Sequence, residues 1–426
     1  MPAPCAHPAD PIANRHGIAI TGLGLVTPLG KSLWATTRAL LDGRTTADFL
    51  DHAQREIDRD PAPETHPAAA LTRDPAALTR AVGAVGRVAP WIEDPAIELA
   101  DLAASQALPD PAGAPDQPRG VRTIVASSKG AILTLIDDHW LAHRDGAAVL
   151  GPHEWLAHRL RCRLSLGHTT SIVAACATSA CALHQARREI ESGAVDRVLV
   201  IAVEAALHPM FAHTYQRLGV LSPIDPLCAH RPRPLDTRRA GFTLVEAAAA
   251  VLLERESVAH VRGQRLFGSL LGTAIGTEPY DIVRPAPVFG ALGSCVSLAV
   301  PRDADIALIQ PHATGTRDND PRELDAIARA LPGSDKTPVY ASKGALGHPL
   351  GASALVNLVL GCAFAAAGRR PSMPWLDEPI DGPFTLTRAA QPVAPGAQLI
   401  TSAGFGGHVG AVCFEAIGPR CQPSIR

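Results

Sequence analysis

The sequence lacks the features that would assign it to several common functional classes. Its 39 basic and 41 acidic side chains give a formal net charge of -2, so no overall field attracts nucleic acid. No arginine- or lysine-rich run is interleaved with aromatic residues, and only 4% of the chain is aromatic. The nine scattered cysteines form no CxxC pair and no zinc-spaced cluster with histidine. We therefore expect neither nucleic-acid binding nor a metal site, and the cysteine usage indicates a reduced, cytoplasmic protein.

A secretory leader and a membrane span are also not expected. Residues 1–16 contain no apolar core of a signal peptide and are interpreted as a flexible leader. No charged residue occurs between Lys343 and Arg369, a stretch longer than the roughly 20 apolar residues that a membrane helix needs. That stretch also holds a histidine, a proline and several glycines. Its second half, 351–367, is therefore predicted to be a helix buried in a large core, with no membrane insertion.

Short apolar runs alternate along the chain with longer helical stretches. The runs are continuous and do not alternate with polar residues, which is typical of strands in a sheet that is covered on both faces. Strands are predicted at 17–26, 121–127, 171–175, 197–204, 247–254, 305–310, 338–342, 398–403 and 410–416. Helices are predicted at 94–107, 177–192, 321–331 and 351–367. This alternation predicts a layered α/β fold.

The chain is expected to divide into two halves. The proline-, alanine- and aspartate-rich stretch 45–120 is interpreted as an elaborated connection between the first two strands. A change from one strand to the next near residue 258 marks the midpoint. We expect an N-terminal half at 17–258, a C-terminal half at 259–418 and a tail at 419–426.

One cysteine has the setting of a nucleophile. Cys176 lies between a predicted strand and a predicted amphipathic helix, where free N–H groups and the helix dipole favour a thiolate. Small alanine neighbours leave the approach to the thiol open. The alternative is that Cys176 is only a small buried apolar residue. Cys181, one helical turn further on, is expected to belong to the core.

Two histidines and a lysine follow predicted strands in the second half. His312 enters a hydroxyl-rich loop at 313–316, and His348 follows Lys343, one of only four lysines in the chain. A single histidine in such a place is usually structural, but two beside a poised cysteine indicate a catalytic site. The glycines of 402–410 would allow backbone N–H groups to approach a ligand.

These four segments, in this order, resemble the β-ketoacyl-acyl carrier protein synthases of the elongating Cys-His-His type, within the thiolase superfamily. The motifs TGLGLVTPLG, RPRPLDTRRAGF and GFGG also match, and the resemblance extends over residues 17–418. It implies a duplicated thiolase-like αβαβα fold. It also implies a decarboxylative Claisen condensation between an enzyme-bound acyl thioester and malonyl-acyl carrier protein, in fatty-acid or specialised biosynthesis.

The resemblance implies a role for each matching residue. Cys176 would accept the acyl chain as a thioester, and His312 and His348 would assist decarboxylation and stabilise the enolate oxygen. Lys343 would be structural and electrostatic. The backbone N–H groups of Cys176 and Phe405 would form an oxyanion hole, with Phe405 also acting as a gate.

The resemblance also implies substrate contacts and partners. Thr314, Thr316 and Gly406 would contact the substrate, whose phosphopantetheine is carried by the acyl carrier protein, so no free cofactor and no metal are expected. A homodimer is expected, with a heterodimer with a related subunit as the alternative.

Several positions depart from the family pattern. Asn357 stands where a glutamate is frequent, Val245 replaces the first glycine of a Gly-Glu-Gly, and Val409 replaces an asparagine. The segment 276–294 is shortened. These departures leave the catalytic trio intact and make a polyketide or aryl polyene-like pathway as reasonable as the housekeeping fatty-acid cycle.

Three related protein classes are alternatives to an elongating synthase. A thiolase would need a cysteine in the GFGGHVG loop, which has none, and a starter-type synthase would not have the histidine at 348. A non-catalytic or heterodimer-dependent partner resembling a chain-length factor stays open because of Asn357 and Val245, although Cys176 is present.

Overall fold

The computed structural model describes residues 17–47, 93–108, 121–136, 141–223 and 232–418. The expected leader 1–16, the tail 419–426 and most of the 45–120 connection lie outside the described residues.

The strands and helices of the described residues follow one another in α/β alternation. The strands are β1 (Ile18–Val26), β2 (Arg122–Ala126), β3 (Thr169–Ile172), β4 (Arg197–Glu204), β5 (Ala247–Arg255), β6 (Gly268–Thr277), β7 (Ile306–Gln310), β8 (Arg369–Arg370), β9 (Gln391–Pro392), β10 (Gly396–Gly404) and β11 (His408–Ala416). The helices are α1 (Leu33–Leu41), α2 (Pro95–Ala107), α3 (Leu133–Ile136), α4 (Leu141–Leu150), α5 (Pro152–Arg163), α6 (Thr178–Glu191), α7 (Pro209–Arg217), α8 (Glu256–Val261), α9 (Gly290–Ala299), α10 (Asn319–Ala330), α11 (Lys343–Leu346) and α12 (Ser353–Ala367). Two 3₁₀ turns, Ala175–Ala177 and Leu350–Ala352, precede α6 and α12.

The main sheet consists of the same strand arrangement twice. Its nine strands run in the order β3-β2-β4-β5-β1-β6-β11-β10-β7. The first half is thus ordered third, second, fourth, fifth, first. The strands of the second half, numbered within that half, are β6 (first), β7 (second), β10 (fourth) and β11 (fifth). The third place is held by Val339, which forms a parallel bridge with Ile309 of β7. Read from the outer edge inward, the second half therefore has the same order as the first. The halves join where β1 and β6 pair in antiparallel fashion. The predicted duplicated fold is confirmed, while the boundary after residue 258 stays a prediction.

Five layers build the molecule. Helices α6 and α12 lie in the middle, because each contacts strands of both halves of the sheet. Helices α2 and α5 cover the outer face of the first half, and α9 covers that of the second, with α10 packed beside α9. The arrangement is the αβαβα layering that the resemblance implied. Residues Leu350–Ala367 are long and apolar enough to cross a membrane, yet 83% of this stretch is buried inside the protein, as a core helix would be.

Three sequence predictions differ from the structure. The strand expected at 171–175 already ends at Ile172, because the chain leaves the sheet to form the tight turn that carries Cys176. The strand expected at 338–342 is reduced to the bridge at Val339, and Lys343 begins the short helix α11. Strand β6 was missed, because the glycines and threonines of GSLLGTAIGT give it no strong apolar signal.

Candidate active site

Residues from both halves meet at one cavity of about 570 Å³. The first half supplies Cys176 and the second supplies His312 and His348. Phe405, Thr314 and Thr316 also line the cavity wall. Lys343 lies behind this wall, and Gly406 belongs to the same turn as Phe405 without lining the cavity. The structure therefore brings the residues selected from sequence into one place.

A strained turn presents the cysteine. Cys176 is 6% exposed, and the preceding Ala175 has a φ of 47°, which is unfavourable for a residue with a side chain. The hydroxyl of Thr178 fixes the turn by donating to the Ala175 carbonyl (2.6 Å) and accepting from the Ala174 amide (2.8 Å). Gly404 packs on the turn, since a Cβ there would lie 2.9 Å from the Cys176 nitrogen.

Cys176 is a neutral thiol at pH 7. Burial raises the pKa of Cys176 to about 12, and the Lys343 ammonium and the Phe405 backbone N–H act in the opposite direction. The position before a helix led us to expect a thiolate, but desolvation outweighs it.

The two histidines are neutral neighbours. Their ring centroids are 5.3 Å apart and the rings are nearly perpendicular, at 79°. Burial, helped by the Lys343 ammonium, holds the pKa of both His312 and His348 well below the usual value. An edge-to-face contact with the Phe242 ring, whose centroid lies 4.7 Å from that of His348, further fixes the His348 ring. Neutral imidazoles can donate hydrogen bonds to a negative oxygen without first carrying a charge.

The segment after the RPRPLDTRRAGF motif holds the loop of His348. The His348 amide donates to the Thr243 carbonyl (2.7 Å), and the Val245 amide donates to the His348 carbonyl (3.3 Å). Val245 packs closely on Gly347, where a Cβ would lie 2.4 Å from Val245 Cγ1. The valine that departs from the family pattern therefore fills space directly against the His348 loop.

A buried carboxylate organises the loop of His312, and sequence reasoning missed it. Glu323 accepts from the backbone amides of His312 (2.6 Å) and Ala313 (2.8 Å), and from the Thr401 hydroxyl (2.6 Å). In the sequence, Glu323 is only one of several acidic residues near the start of the helix predicted at 321–331. Glu323 instead points inward from α10 and fixes the backbone on which His312 stands.

Asp320, one turn earlier on α10, ties the same loop to the first half. It accepts from the Leu235 amide (2.8 Å) and the Gly315 amide (3.0 Å). Burial raises the pKa of Asp320 to about 6. The RPRPLDTRRAGF segment is therefore a support for the His312 loop.

Lys343 is held beneath the histidines. Its Nζ donates to the His312 carbonyl at 2.5 Å, and burial lowers the pKa of the ammonium to about 8 while Glu323 opposes this shift. Asn357, which replaces a frequent glutamate, accepts from the Ser342 hydroxyl (2.6 Å). Lys343 therefore takes its electrostatic support from the carboxylates of α10 and needs none at position 357.

The shortened segment 276–294 forms one wall of the cavity. Its backbone is joined to the β10–β11 turn, because the Gly406 amide donates to the Ile282 carbonyl (2.8 Å) and the Glu278 amide to the Gly407 carbonyl (2.7 Å). Val409, a further departure from the family pattern, is buried and lines the same cavity. The turn that bears Phe405 is thus braced from outside.

Sequence profiles assign both halves to one family. The profile described as "Beta-ketoacyl synthase, N-terminal domain" matches residues 15–259, and that of the C-terminal domain matches residues 270–369. Together they match most of the chain.

Two individual proteins are similar in sequence to this chain. The chain is 32% identical over 252 residues to 3-oxoacyl-[acyl-carrier-protein] synthase 2 of Mycobacterium bovis, covering 57% of this chain and 60% of the relative. It is 25% identical over 427 residues to the protein of that name from Vibrio harveyi, covering 95% and 99%.

Solved structures share the fold. A ketosynthase of a type II polyketide synthase, in complex with its acyl-carrier protein and bound to a hexaketide, superposes with a TM-score of 0.77 at 20% identity, covering 95% of this chain and 100% of that one. A β-ketoacyl synthase from Burkholderia phymatum superposes with a TM-score of 0.75 at 21% identity, with the same coverage.

Proposed function

The chain belongs to the β-ketoacyl synthase family, and on that premise we propose that it condenses an acyl group held on Cys176 with malonyl-acyl carrier protein, releasing CO₂. The observation that carries the proposal is the meeting of Cys176 with two neutral histidines at one cavity. A buried nucleophile supports acyl transfer, and neutral donors support formation of an enolate.

Acyl transfer is the first half of the proposed reaction. The Cys176 sulfur attacks the thioester carbonyl of the donor, forming a new C–S bond as the C–S bond to the pantetheine breaks. The thiol proton of Cys176 passes to the departing pantetheine sulfur. The Phe405 N–H, which lowers the pKa of the thiol, and the Cys176 N–H would stabilise the oxyanion.

Condensation is the second half. The bond between the malonyl α-carbon and its carboxylate breaks, CO₂ leaves, and the electron pair forms an enolate whose oxygen accepts hydrogen bonds from His312 and His348. The enolate carbon attacks the Cys176 thioester, forming the C–C bond and expelling the cysteine sulfur as a thiolate. A proton taken up from solvent then restores the Cys176 thiol. No strong base is needed, because decarboxylation supplies the carbanion.

The donor role of His348 requires its proton on Nε2. Ser353 Oγ lies 3.2 Å from His348 Nδ1 and 2.7 Å from the Leu350 carbonyl. One hydroxyl proton can serve only one of these acceptors. The shorter contact in the structure is donation to the Leu350 carbonyl. We propose that in the working enzyme the hydroxyl turns and donates to Nδ1, which keeps the imidazole proton on Nε2.

The substrate is an acyl thioester delivered with malonyl-acyl carrier protein in fatty-acid or polyketide-like biosynthesis. Thr314 and Thr316, whose hydroxyls are 2.9 Å apart on the cavity wall, would contact the pantetheine arm, with Gly406 shaping the turn beside it. The acyl-carrier protein seen with a fold relative supports this partner. No free cofactor is required, because the carrier brings its own phosphopantetheine.

A homodimer in the cytoplasm is our proposed assembly. The second candidate is a subunit that works only with a related chain, as the ketosynthase/chain length factor among the fold relatives indicates. The departure at Val245 favours this candidate, since Val245 packs on Gly347, directly before His348. Asn357 does not favour it, because Lys343 takes its electrostatic support from Glu323 and Asp320.

Intact-protein mass after incubation with a panel of acyl-carrier proteins tests the proposal. We expect an acyl increment on wild type and on Cys181→Ala, and none on Cys176→Ala. Adding malonyl-acyl carrier protein should then discharge the acyl group and release CO₂. An increment that persists in Cys176→Ala, or none with any donor, would contradict a stand-alone synthase; restoration by a co-expressed related subunit would support the second candidate.

A further inference from the structure

A buried glutamate lies behind the nucleophile, outside every motif discussed above. Glu204 ends β4 and is 1% exposed. Its Oε1 accepts from the Ser128 and Gly351 amides, the latter at 3.2 Å. Its Oε2 is buried and has no hydrogen-bond partner within the described part of the chain. Burying a carboxylate oxygen without a hydrogen-bond partner costs free energy of folding. We therefore expect Glu204 to have a function that offsets this cost.

Glu204 holds the histidine loop through Gly351, and Gly351 in turn packs on the cysteine turn. Gly351 lies in the 3₁₀ turn that follows His348. A Cβ at Gly351 would lie 2.6 Å from Glu204 Oε1 and 3.1 Å from the carbonyl oxygen of Ala175, the residue before Cys176. The two catalytic loops, one from each half, can approach each other and Glu204 only because position 351 has no side chain.

Three titratable groups interact electrostatically with the Glu204 carboxyl. They are Lys129 from the loop after β2, Cys176 from its turn and Tyr215 from α7. The Lys129 ammonium lies 5.8 Å from the Phe211 ring centroid and favours both the Glu204 carboxylate and a Cys176 thiolate. Burial raises the pKa of Glu204 to about 7, and its negative charge raises the pKa of Cys176.

We propose that Glu204 is a positioning residue that holds the Cys176 turn against the His348 loop, and that gain or loss of its proton changes the reactivity of Cys176. The inference rests on the proposed function only in taking Cys176 as the reacting thiol. When Glu204 binds a proton near neutral pH, its carboxyl becomes neutral and no longer raises the pKa of the Cys176 thiol. Ionisation of Glu204 restores that charge and opposes formation of the thiolate.

Alkylation of Cys176 by iodoacetamide, followed by peptide mass between pH 5.5 and 9, tests the electrostatic part. A thiol well below its pKa reacts tenfold faster per pH unit. In wild type we expect the plot of log rate against pH to flatten around pH 7, because the ionising Glu204 raises the pKa of Cys176. Above that pH the slope should recover. Glu204→Gln keeps an acceptor oxygen but no charge, so its slope should stay uniform below about pH 7.5, before Lys343 begins to lose its proton. At pH 8.5, where Lys343 titrates in both proteins, its rate should exceed wild type by roughly three- to tenfold.

Asp94→Asn is the matched control. Asp94 is another buried carboxyl, its pKa raised by burial to about 6, and it caps α2 away from Cys176. We expect this variant to retain the wild-type inflection. Equal slopes in wild type and Glu204→Gln, or loss of the inflection in Asp94→Asn, would overturn the proposal.

Two further variants remain informative if Glu204→Gln does not fold. Lys129→Met removes the ammonium, so alkylation should slow and the inflection should move to higher pH. Gly351→Ala keeps the Glu204 charge but crowds its Oε1, so the inflection should remain while kcat for condensation falls roughly tenfold at unchanged KM. An unchanged kcat in Gly351→Ala would contradict the positioning role. Because alkylation needs no acyl substrate, failure of the proposed function would leave this test intact.

Discussion

Lys343 donates a hydrogen bond from its Nζ to the backbone carbonyl of His312, at 2.5 Å. This contact joins the short helix before His348 to the loop that carries His312. The same ammonium lowers the pKa of both imidazoles and of the Cys176 thiol. One buried cation therefore anchors the site and adds to the burial that keeps the histidines neutral.

Replacing this lysine tests that dual role. Lys343→Met should lower kcat for condensation by roughly 10²–10³-fold, the usual effect of removing one preorganised electrostatic group. The His312 loop loses its anchor and the pKa of Cys176 rises further. CO₂ release from malonyl-acyl carrier protein would measure the loss. Lys336→Met, at an exposed position, is the control, and an equal loss there would exclude a specific role for Lys343.

The buried carboxylate of Glu323 should matter for stability as well as activity. Glu323→Gln replaces one acceptor oxygen by an amide donor facing the His312 and Ala313 N–H groups. We expect a loss of about 1–3 kcal/mol in the free energy of unfolding, measured by urea denaturation. Asp325→Asn, at an exposed ion pair on the same helix, should change it by less than about 0.5 kcal/mol. A stability of Glu323→Gln equal to wild type would refute the anchoring role.

The neutral histidines predict a pH dependence with a defined sign. The pKa of His312 and His348 is lowered in the native state, so below about pH 6.5 the unfolded chain binds protons that the native site does not. Their contribution to stability is present above that pH and is lost as the pH falls. The difference in unfolding free energy between wild type and His312→Gln/His348→Gln should therefore shrink from pH 7 to pH 5.5.

That comparison removes the opposing effect of buried carboxyls, since both proteins share them. Imidazole ¹⁵N spectra should also show both rings neutral at pH 5.5. A difference independent of pH, or protonated rings at pH 6, would contradict the assignment.

Ser353 should set the tautomer of His348. With Ser353 Oγ donating to Nδ1, we expect the ¹⁵N spectrum to show the proton on Nε2. Ser353→Ala should populate the other tautomer and lower kcat roughly tenfold, whereas Ser353→Thr keeps the hydroxyl and should restore both. A proton on Nδ1 in the active wild type would remove His348 as an Nε2 donor.

The sequence by itself identified the layered α/β class and the candidate trio. Helix α6 and strand β4 follow from local apolar periodicity, so their limits were close to those predicted. Cys176, His312 and His348 are recognisable because each lies in a short motif whose neighbours serve a local need, such as a tight turn or a small side chain. The chemical roles of these residues remain proposals that the experiments above test.

Only the tertiary structure decided how those motifs support one another. Glu323 and Glu204 look like ordinary charged residues in sequence, because their partners are amides brought together by folding. The packing of Val245 on Gly347 joins residues about a hundred positions apart. Protonation states were likewise undecided, since the helix start at Cys176 favoured a thiolate and burial reversed it. Desolvation sums the atoms of many distant segments, and no local pattern in the chain contains that sum.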